Sequence, residues 1–426
     1  MYEHIFEHFL RCRKVTTDSR KIGKDAIYFA LKGEKFNGNA FALASLEAGA
    51  SMAVVDEAQH VDDPRIVLVE DALVALQQVA LLYRESLHIP FLAITGSNGK
   101  TTTKELIRDV LAKKYKVSAT RGNLNNHIGV PLTLLEIPED CEFAVIEMGA
   151  NHQNEIRGYC AYTKPDFGLI TNMGKAHLEG FGGEEGVVRG KKELYDYVNG
   201  AGGKVFVNIE LEKLYNASSG MNIIPYGFAS GGFQLACVSE SPVVEYSCAH
   251  AASRGVYQTH LAGAYNLYNI ASAIAVGRYF GVQEEEIHDA ISSYTPDNNR
   301  SQLTRTEKNL LILDAYNANP TSLGYALEGL SKQNTDRKFF VIGDMLELGN
   351  ASPAEHLNIL NVAKELGLNG VLVGEQFGKV SQNGPFKWFA DNLEAKKYLE
   401  KLNLKDHTIL IKGSRGIKLE EVVSAL

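Results

Sequence analysis

A short apolar run, a polar or glycine-bearing turn, and then helical periodicity recur along most of the chain. The apolar runs are Ile66–Val69, Phe91–Thr95, Phe143–Met148, Phe167–Thr171, Val205–Val207, Leu310–Leu313, Phe339–Ile342, Val371–Val373 and Thr408–Ile411. Each is too short for a helix and long enough for a strand buried on both faces. Strands alternating with helices predict an α/β protein built on parallel sheets. From position 202 to about 260 the pattern changes to Gly, Ser and alternating apolar residues, which reads as strands and turns attached to a central domain.

The residues just past several runs carry chemistry: Gly96 onward, Glu147, Asn172, Asp314, Asp344 and Lys412. Open α/β sheets bind ligands at the carboxyl ends of their strands, so this placement is a signal of function as well as of fold. Ser86–Pro90 leads into a new strand, and Ser292–Ser301 is dense in turn formers, including Pro296, Asp297, Asn298 and Asn299. These breaks divide the chain into 1–88, 89–302 and 303–426.

Composition narrows the class. A chain of 426 residues with 45% hydrophobic and 22% charged residues is long enough for several domains with real cores. Its formal net charge of -8 argues against a nucleic-acid partner, which needs an excess of Lys and Arg. The five cysteines are scattered and form no C-x-x-C pair, so neither a disulfide framework nor a zinc site is expected and a reducing cytoplasm fits. The N-terminus alternates apolar and charged residues and lacks a signal-peptide core. No apolar run approaches the ~20 residues that span a bilayer.

The sharpest motif is Gly96-Ser97-Asn98-Gly99-Lys100-Thr101-Thr102, between an apolar strand and a helix beginning near Thr101. Glycines let backbone N–H groups close around phosphate, the helix N-terminus favours negative charge, Lys100 reaches outer phosphates and Thr101 can hold Mg2+. The spacing is tighter than in the general phosphate loop. Glu147 at a strand end suits Mg2+, which takes hard oxygen donors, although a solvated strand terminus reads the same way. His177 is a metal candidate or a satisfied loop residue. Lys191 and Lys192 open a helix and read from spacing alone as a solvated basic turn. Asn266 and Asn269 share one face at the start of an Ala-rich helix, as a cap or as an adenine contact. Asp314 precedes Asn317, Asn319 and Pro320, which are partly turn and cap chemistry.

The ordered set GSNGKTT, GNLNNHIGVPLTLL, AVIEMGANHQNEI, ITNMGKAHLEGFGG, GKKELY, GAYNLYNIASA, LDAYNANPTS, VIGDMLELG and IKGSRG resembles the Mur ligases of peptidoglycan synthesis, from about Thr17 to Gly416. The resemblance implies three domains: a smaller N-terminal α/β domain binding a UDP-sugar peptide, a central phosphate-loop domain binding ATP, and a Rossmann-like C-terminal domain that closes over the site. GANHQNEI, NANPTS and GDMLELG point to the branch that adds D-alanyl-D-alanine to UDP-N-acetylmuramoyl-tripeptide through an acyl phosphate. The D-N-P-R segment usual in the sister enzyme for the third stem-peptide residue is missing.

The resemblance assigns roles by position. Gly96 to Thr102 and Lys100 would hold ATP phosphates, Arg300 would lie near the γ-phosphate, Asp314 near the ribose, and Asn266 and Asn269 near the adenine. Thr101, Glu147, His177 and a carbamylated Lys191 would hold two Mg2+. Ser19, Arg20, Asn123, Asn125, Asn126, Asn317, Asn319 and Lys412 would serve the UDP-peptide and the incoming amine. A cytoplasmic monomer without a membrane segment is expected. Three positions depart from the family: Tyr265 and Asn39 stand where histidine is common, and Asn298-Asn299 precede Arg300 where glycine is usual. The alternatives are another ligase of the superfamily, such as a folylpolyglutamate synthase, and a nucleotide-binding protein without catalysis. Retention of Lys100, Glu147, His177 and Lys191 together speaks against the second.

Overall fold

Every residue of the strands Phe91–Thr95 and Phe143–Glu147 is buried, as expected for strands with helices on both faces. They lie side by side in the middle of a parallel six-stranded sheet. Its order is Ile223–Tyr226, Lys204–Asn208, Phe167–Ile170, Phe91–Thr95, Phe143–Glu147, Val117–Ala119. From Phe91–Thr95 the chain first reaches the edge strand Val117–Ala119, returns to fill Phe143–Glu147 between them, and then crosses to build outward on the other side. That reversal opens a crevice at the carboxyl ends of the three middle strands.

The computed structural model describes all residues except 61–62, 231, 233, 251–252, 297–299 and 382–383. The turn residues Asp297, Asn298 and Asn299, and with them the glycine departure before Arg300, lie outside the described residues.

Two further sheets flank the central one, giving a three-domain α/β fold. The first has four parallel strands, in the order Val15–Thr16, Ile27–Phe29, Met52–Val55, Ile66–Leu68. The last has six, in the order Gln302–Arg305, Leu310–Leu313, Thr408–Lys412, Lys338–Gly343, Gly370–Val373, Lys387–Phe389. Its first strand alone runs antiparallel. All nine apolar runs read from the sequence are strands. The segment after position 202 supplies the last two strands on one side of the central sheet, Lys204–Asn208 and the edge strand Ile223–Tyr226, and an antiparallel sheet of Leu235–Ser239, Glu245–His250 and Ser253–Gln258. One apolar cluster runs through all three domains, from Phe9 and Tyr83 through Ile170 and Phe181 to Leu323 and Phe340.

One sequence expectation fails. Lys191 does not open a helix, because the helix spans Glu184–Gly200 and Lys191 lies in its middle, 1% exposed. Val187, Lys191, Leu194 and Val198 form its buried stripe at helical spacing. Lys192 points away and pairs with Asp196.

Candidate functional site

The strand Phe91–Thr95 must turn sharply into the helix Lys100–Leu111, and two glycines make that turn possible. Gly96 has φ 147° and Gly99 φ 77°. A Cβ on Gly96 would lie 1.9 Å from Thr171 Oγ1, and one on Gly99 would lie 2.4 Å from Asn269 Oδ1. Asn172 braces the loop by accepting from Ser97 N at 3.0 Å through its carbonyl and from Asn98 N at 3.1 Å through its side chain. The helix has Gly99 at its N-cap and no side-chain cap, so its first N–H groups are left for an anion.

Lys100 folds back on this loop and donates to the Gly96 carbonyl at 2.8 Å. Burial, partly offset by the Glu147 carboxylate and reinforced by the Arg300 cation, holds its amine down at about 8. A phosphate at the loop would restore the charge.

Beneath Lys100, Thr101 Oγ1 donates to Glu147 Oε1 at 3.0 Å. Asn125 Nδ2 donates to the same oxygen at 2.7 Å. Glu147 is fully buried, and its Oε2 has no hydrogen-bond partner among the described residues. The fully buried Lys104 stands 3.8 Å from that oxygen and anchors to the Thr120 carbonyl at 2.5 Å. A carboxylate oxygen left bare in the interior, beside a threonine hydroxyl, is a hard-oxygen set that fits Mg2+.

Arg300 reaches Thr101 Oγ1 with Nη1, and its guanidinium lies 3.8 Å from the centroid of the Tyr316 ring. The buried Lys412 and the partly buried Asp314, at the ends of adjacent strands, pair at 2.5 Å, and Lys412 also donates to the Asn317 carbonyl at 3.1 Å. Asp344, which also follows a strand, accepts from Gln376 N and Phe377 N at 2.8 and 2.9 Å and so caps a helix instead of facing the cleft.

Lys191 donates to the Ala150 carbonyl at 3.1 Å and lies 4.9 Å from the Phe181 ring centroid. Burial, and then the neighbouring Lys100 cation, hold its amine well below the ordinary lysine range. It is not the solvated turn residue its sequence suggested. The neutral amine is the form that reacts with CO2 to give a carbamate and a proton, so the position fits a carbamylated lysine.

These residues surround a cavity of about 720 Å³ between the central and C-terminal domains. Ser97, Asn98, Gly99, Lys100, Thr102, Asn123, Asn125, Asn126, Glu147, His177, Asn266, Asn269, Arg300, Asp314, Asn317, Asn319 and Lys412 all line it. Gly96, Thr101 and Lys191 lie behind that lining.

Several asparagines also hold the site together. Asn126 Oδ1 accepts from Gly129 N at 2.8 Å at the start of the following helix. Asn269 Nδ2 donates to Asn266 Oδ1 at 2.8 Å and its Oδ1 accepts from Thr103 at 3.0 Å, tying two helices behind the phosphate loop. Asn319 caps its helix in a capping box and donates to Asn98 Oδ1 at 2.6 Å across the domains. Ser19 and Arg20 are not brought into the cavity. They lie on the first domain, where Arg20 pairs with Asp18 at 2.8 Å.

Tyr265, in place of the common histidine, bonds Ser301 Oγ at 2.6 Å, and Asn39 bridges Asn37 and Asp56 at 2.9 and 2.8 Å. Sequence reasoning did not single out Tyr316, Lys104 or Glu347, although Tyr316 and Glu347 lie inside quoted motifs. The spacing of Val187, Lys191, Leu194 and Val198 would have revealed the buried lysine.

A second cluster, Cys248, Glu284 and His288, has ligand atoms within 4.8 Å of one another. Arg278 already fills it, 2.5 Å from Glu284 and 3.4 Å from Cys248, so it is an internal ion network.

Comparison with known proteins gives the same picture along the whole chain. Residues 11–95 match the sequence model described as Mur ligase family, catalytic domain. Residues 94–277 match the Mur ligase middle domain, and 299–415 the Mur ligase, glutamate ligase domain. The UDP-N-acetylmuramoyl-tripeptide–D-alanyl-D-alanine ligase of Bacillus subtilis is 35% identical over 97% of this chain and 92% of its own. The Escherichia coli protein of the same name is 33% identical over 97% and 93%. Among solved structures, MurF from Acinetobacter baumannii superposes with TM-score 0.88 at 31% identity, covering 97% of this chain and 93% of that one. MurF from Thermotoga maritima in complex with ADP gives 0.85 at 26%, covering 98% and 97%.

Proposed function

This chain belongs to the Mur ligase family, and we propose that it joins D-alanyl-D-alanine to UDP-N-acetylmuramoyl-tripeptide, making the pentapeptide precursor of peptidoglycan. It is an ATP-dependent, amide-bond-forming ligase. The observation that carries the reading is the likeness to relatives named for this reaction along essentially the full length, C-terminal domain included. No described helix is long and apolar enough to cross a membrane. The nucleotide-linked substrates support a cytoplasmic location, and a monomer suffices because one chain supplies every residue given a role.

The chemistry explains the site. A carboxylate is a poor electrophile because its oxygen would have to leave as oxide. Transfer of the γ-phosphoryl group of ATP to that oxygen gives an acyl phosphate and ADP. The dipeptide amine then attacks the carbonyl carbon, and the tetrahedral intermediate expels phosphate and forms the amide. Two anions must meet in the first step, so the barrier is largely electrostatic. The open helix end at Gly99 and the Lys100 amine bind the phosphates. Arg300, held on the Tyr316 ring, supports the γ-phosphate. Thr101 with Glu147, and His177 with a carbamylated Lys191, would hold two Mg2+, whose chemistry is to neutralise and align the phosphates.

Asp314 serves the ribose, Asn266 and Asn269 the adenine side, and Asn123, Asn125 and Asn126 the reacting end of the UDP-peptide. Asn317, Asn319 and Lys412 serve the amine, and Ser19 and Arg20 the UDP end. We divide the roles among residues 1–88 for the UDP-peptide, 89–302 for ATP and 303–426 for the amine and closure. Contacts such as Asn319 to Asn98, and Lys175 N to Thr321 Oγ1 at 3.1 Å, dock the last domain over the cavity and exclude the water that would hydrolyse an acyl phosphate.

The test is incubation with ATP and both substrates followed by mass spectrometry. The expected product is the UDP-peptide plus one dipeptide minus one water. Recovery of unchanged UDP-peptide alongside a folded, ATP-binding chain contradicts the reading.

A further inference from the structure

The segment that follows the strand Phe167–Ile170 meets the C-terminal domain at several points, and one of them is the His177 imidazole. His177, at the N-cap of the short helix Leu178–Phe181, has φ 51°. Glu347, in the loop after the strand Lys338–Gly343, has φ 62°. Both are non-glycine residues in the left-handed region, a conformation that persists only where the surroundings enforce it. His177 Nδ1 is hydrogen-bonded to Glu347 Oε2, and Glu179 N donates to the Glu347 carbonyl at 3.2 Å. The His177 side chain is 17% exposed and lines the cavity, and its Nε2 has no hydrogen-bond partner among the described residues.

We propose that Glu347 is a positioning residue for the divalent-cation site: the docked C-terminal domain presents its carboxylate to His177 Nδ1 and leaves Nε2 bare for the cation. The inference rests on the reading of His177 as a metal ligand. A carboxylate only accepts hydrogen bonds, so the ring nitrogen that faces it carries the proton. A neutral imidazole has one proton to place, and placing it on Nδ1 leaves the Nε2 lone pair free. Carboxylates that hold ligating histidines in this way fix the ring and raise its basicity.

The two partners belong to different domains, which has a consequence beyond ring orientation. The histidine is set for the cation only when the last domain is docked. By linkage, cation binding favours the docked arrangement to the same degree that docking favours the cation. A neighbouring ion pair, Lys175 with Glu355 at 2.5 Å, joins the same two domains without touching His177. It provides a control for simple latching.

The experiment measures Mn2+ binding by electron paramagnetic resonance on the full chain with a non-hydrolysable ATP analogue, so that no turnover is needed. Four proteins are compared: wild type, Glu347→Gln, Glu355→Gln and His177→Ala. Glu347→Gln is expected to weaken Mn2+ binding about 10- to 100-fold, His177→Ala at least as much, and Glu355→Gln not at all. Unchanged binding in His177→Ala removes the reading of His177 as a ligand. Weakened binding in His177→Ala with unchanged binding in Glu347→Gln overturns the inference and reduces Glu347 to a latch. Nitrogen-15 NMR of histidine-labelled wild type tests the same point without the Glu347 variant. The Nδ1–H tautomer is expected for His177, and an Nε2–H tautomer overturns the inference.

Discussion

The Thr101 hydroxyl donates to Glu147 Oε1 at 3.0 Å, joining the first turn of the phosphate helix to the end of the neighbouring strand. The buried Oε2 has no hydrogen-bond partner among the described residues and stands 3.8 Å from the Lys104 ammonium. Glu147→Gln keeps the shape and removes the charge. Its turnover is expected to fall by about 100-fold or more, the scale of losing one preorganised electrostatic group, with melting temperature little changed. Near-normal turnover would remove Glu147 from the metal site.

Lys100 makes ATP binding depend on pH. Burial, together with Arg300 and against Glu147, holds the empty-site amine at about 8, so above that pH it is mostly neutral. Phosphates favour the charged form, so binding at pH 8.5 takes up a proton. Calorimetry in buffers of different ionisation heat should show uptake at pH 8.5 and almost none at pH 6.5, where Lys100 is already charged. Lys100→Met should abolish the difference. Equal heats in all buffers at pH 8.5 would contradict the assignment.

Lys191→Ala is expected to be folded and inactive, and partly rescued by a short carboxylic acid that restores the anion. The neutral amine, held so by burial and then by Lys100, is what permits the carbamate in the wild type. Full activity of the variant without added acid would remove the carbamate from the account.

The pair of Asp314 and Lys412 is a matter of stability as well as of binding. Lys412→Met leaves a largely buried carboxylate unpaired, which costs about 3 kcal/mol. The double variant Asp314→Asn with Lys412→Met should recover most of that loss. Denaturant unfolding of the three proteins checks this, and an unaltered midpoint in the single variant would show that the pair is not stabilising.

Eight of the nine apolar runs were legible because a parallel strand covered on both faces has no polar positions to interrupt it, and the ninth, Ile66–Leu68, is an edge strand that is apolar although Leu68 is exposed. Val15–Thr16, Val117–Ala119, Ile223–Tyr226 and Lys387–Phe389 were not, because they are edge strands with few apolar residues or a proline. Met52–Val55 is interior, but the alanines and glycine just before it blur its start. The phosphate loop was legible because glycine and lysine spacing encodes a backbone shape. Burial of Lys191 was hidden by the lysine beside it. The double use of Asn126, Asn269 and Asn319 as caps and braces depends on partners far away in sequence, which no local pattern carries. Glu347 meets His177 only because two domains dock, 170 residues apart along the chain.

The central claim is that ATP cleavage is coupled to joining one particular amine to one particular UDP-peptide. Phosphate release from ATP, measured with UDP-N-acetylmuramoyl-tripeptide and with or without D-alanyl-D-alanine, tests it most directly. The account predicts release only when both are present, one phosphate for each amide formed. Release that needs a different amino acid or UDP-peptide, or none at all from a chain that binds ATP, would contradict it.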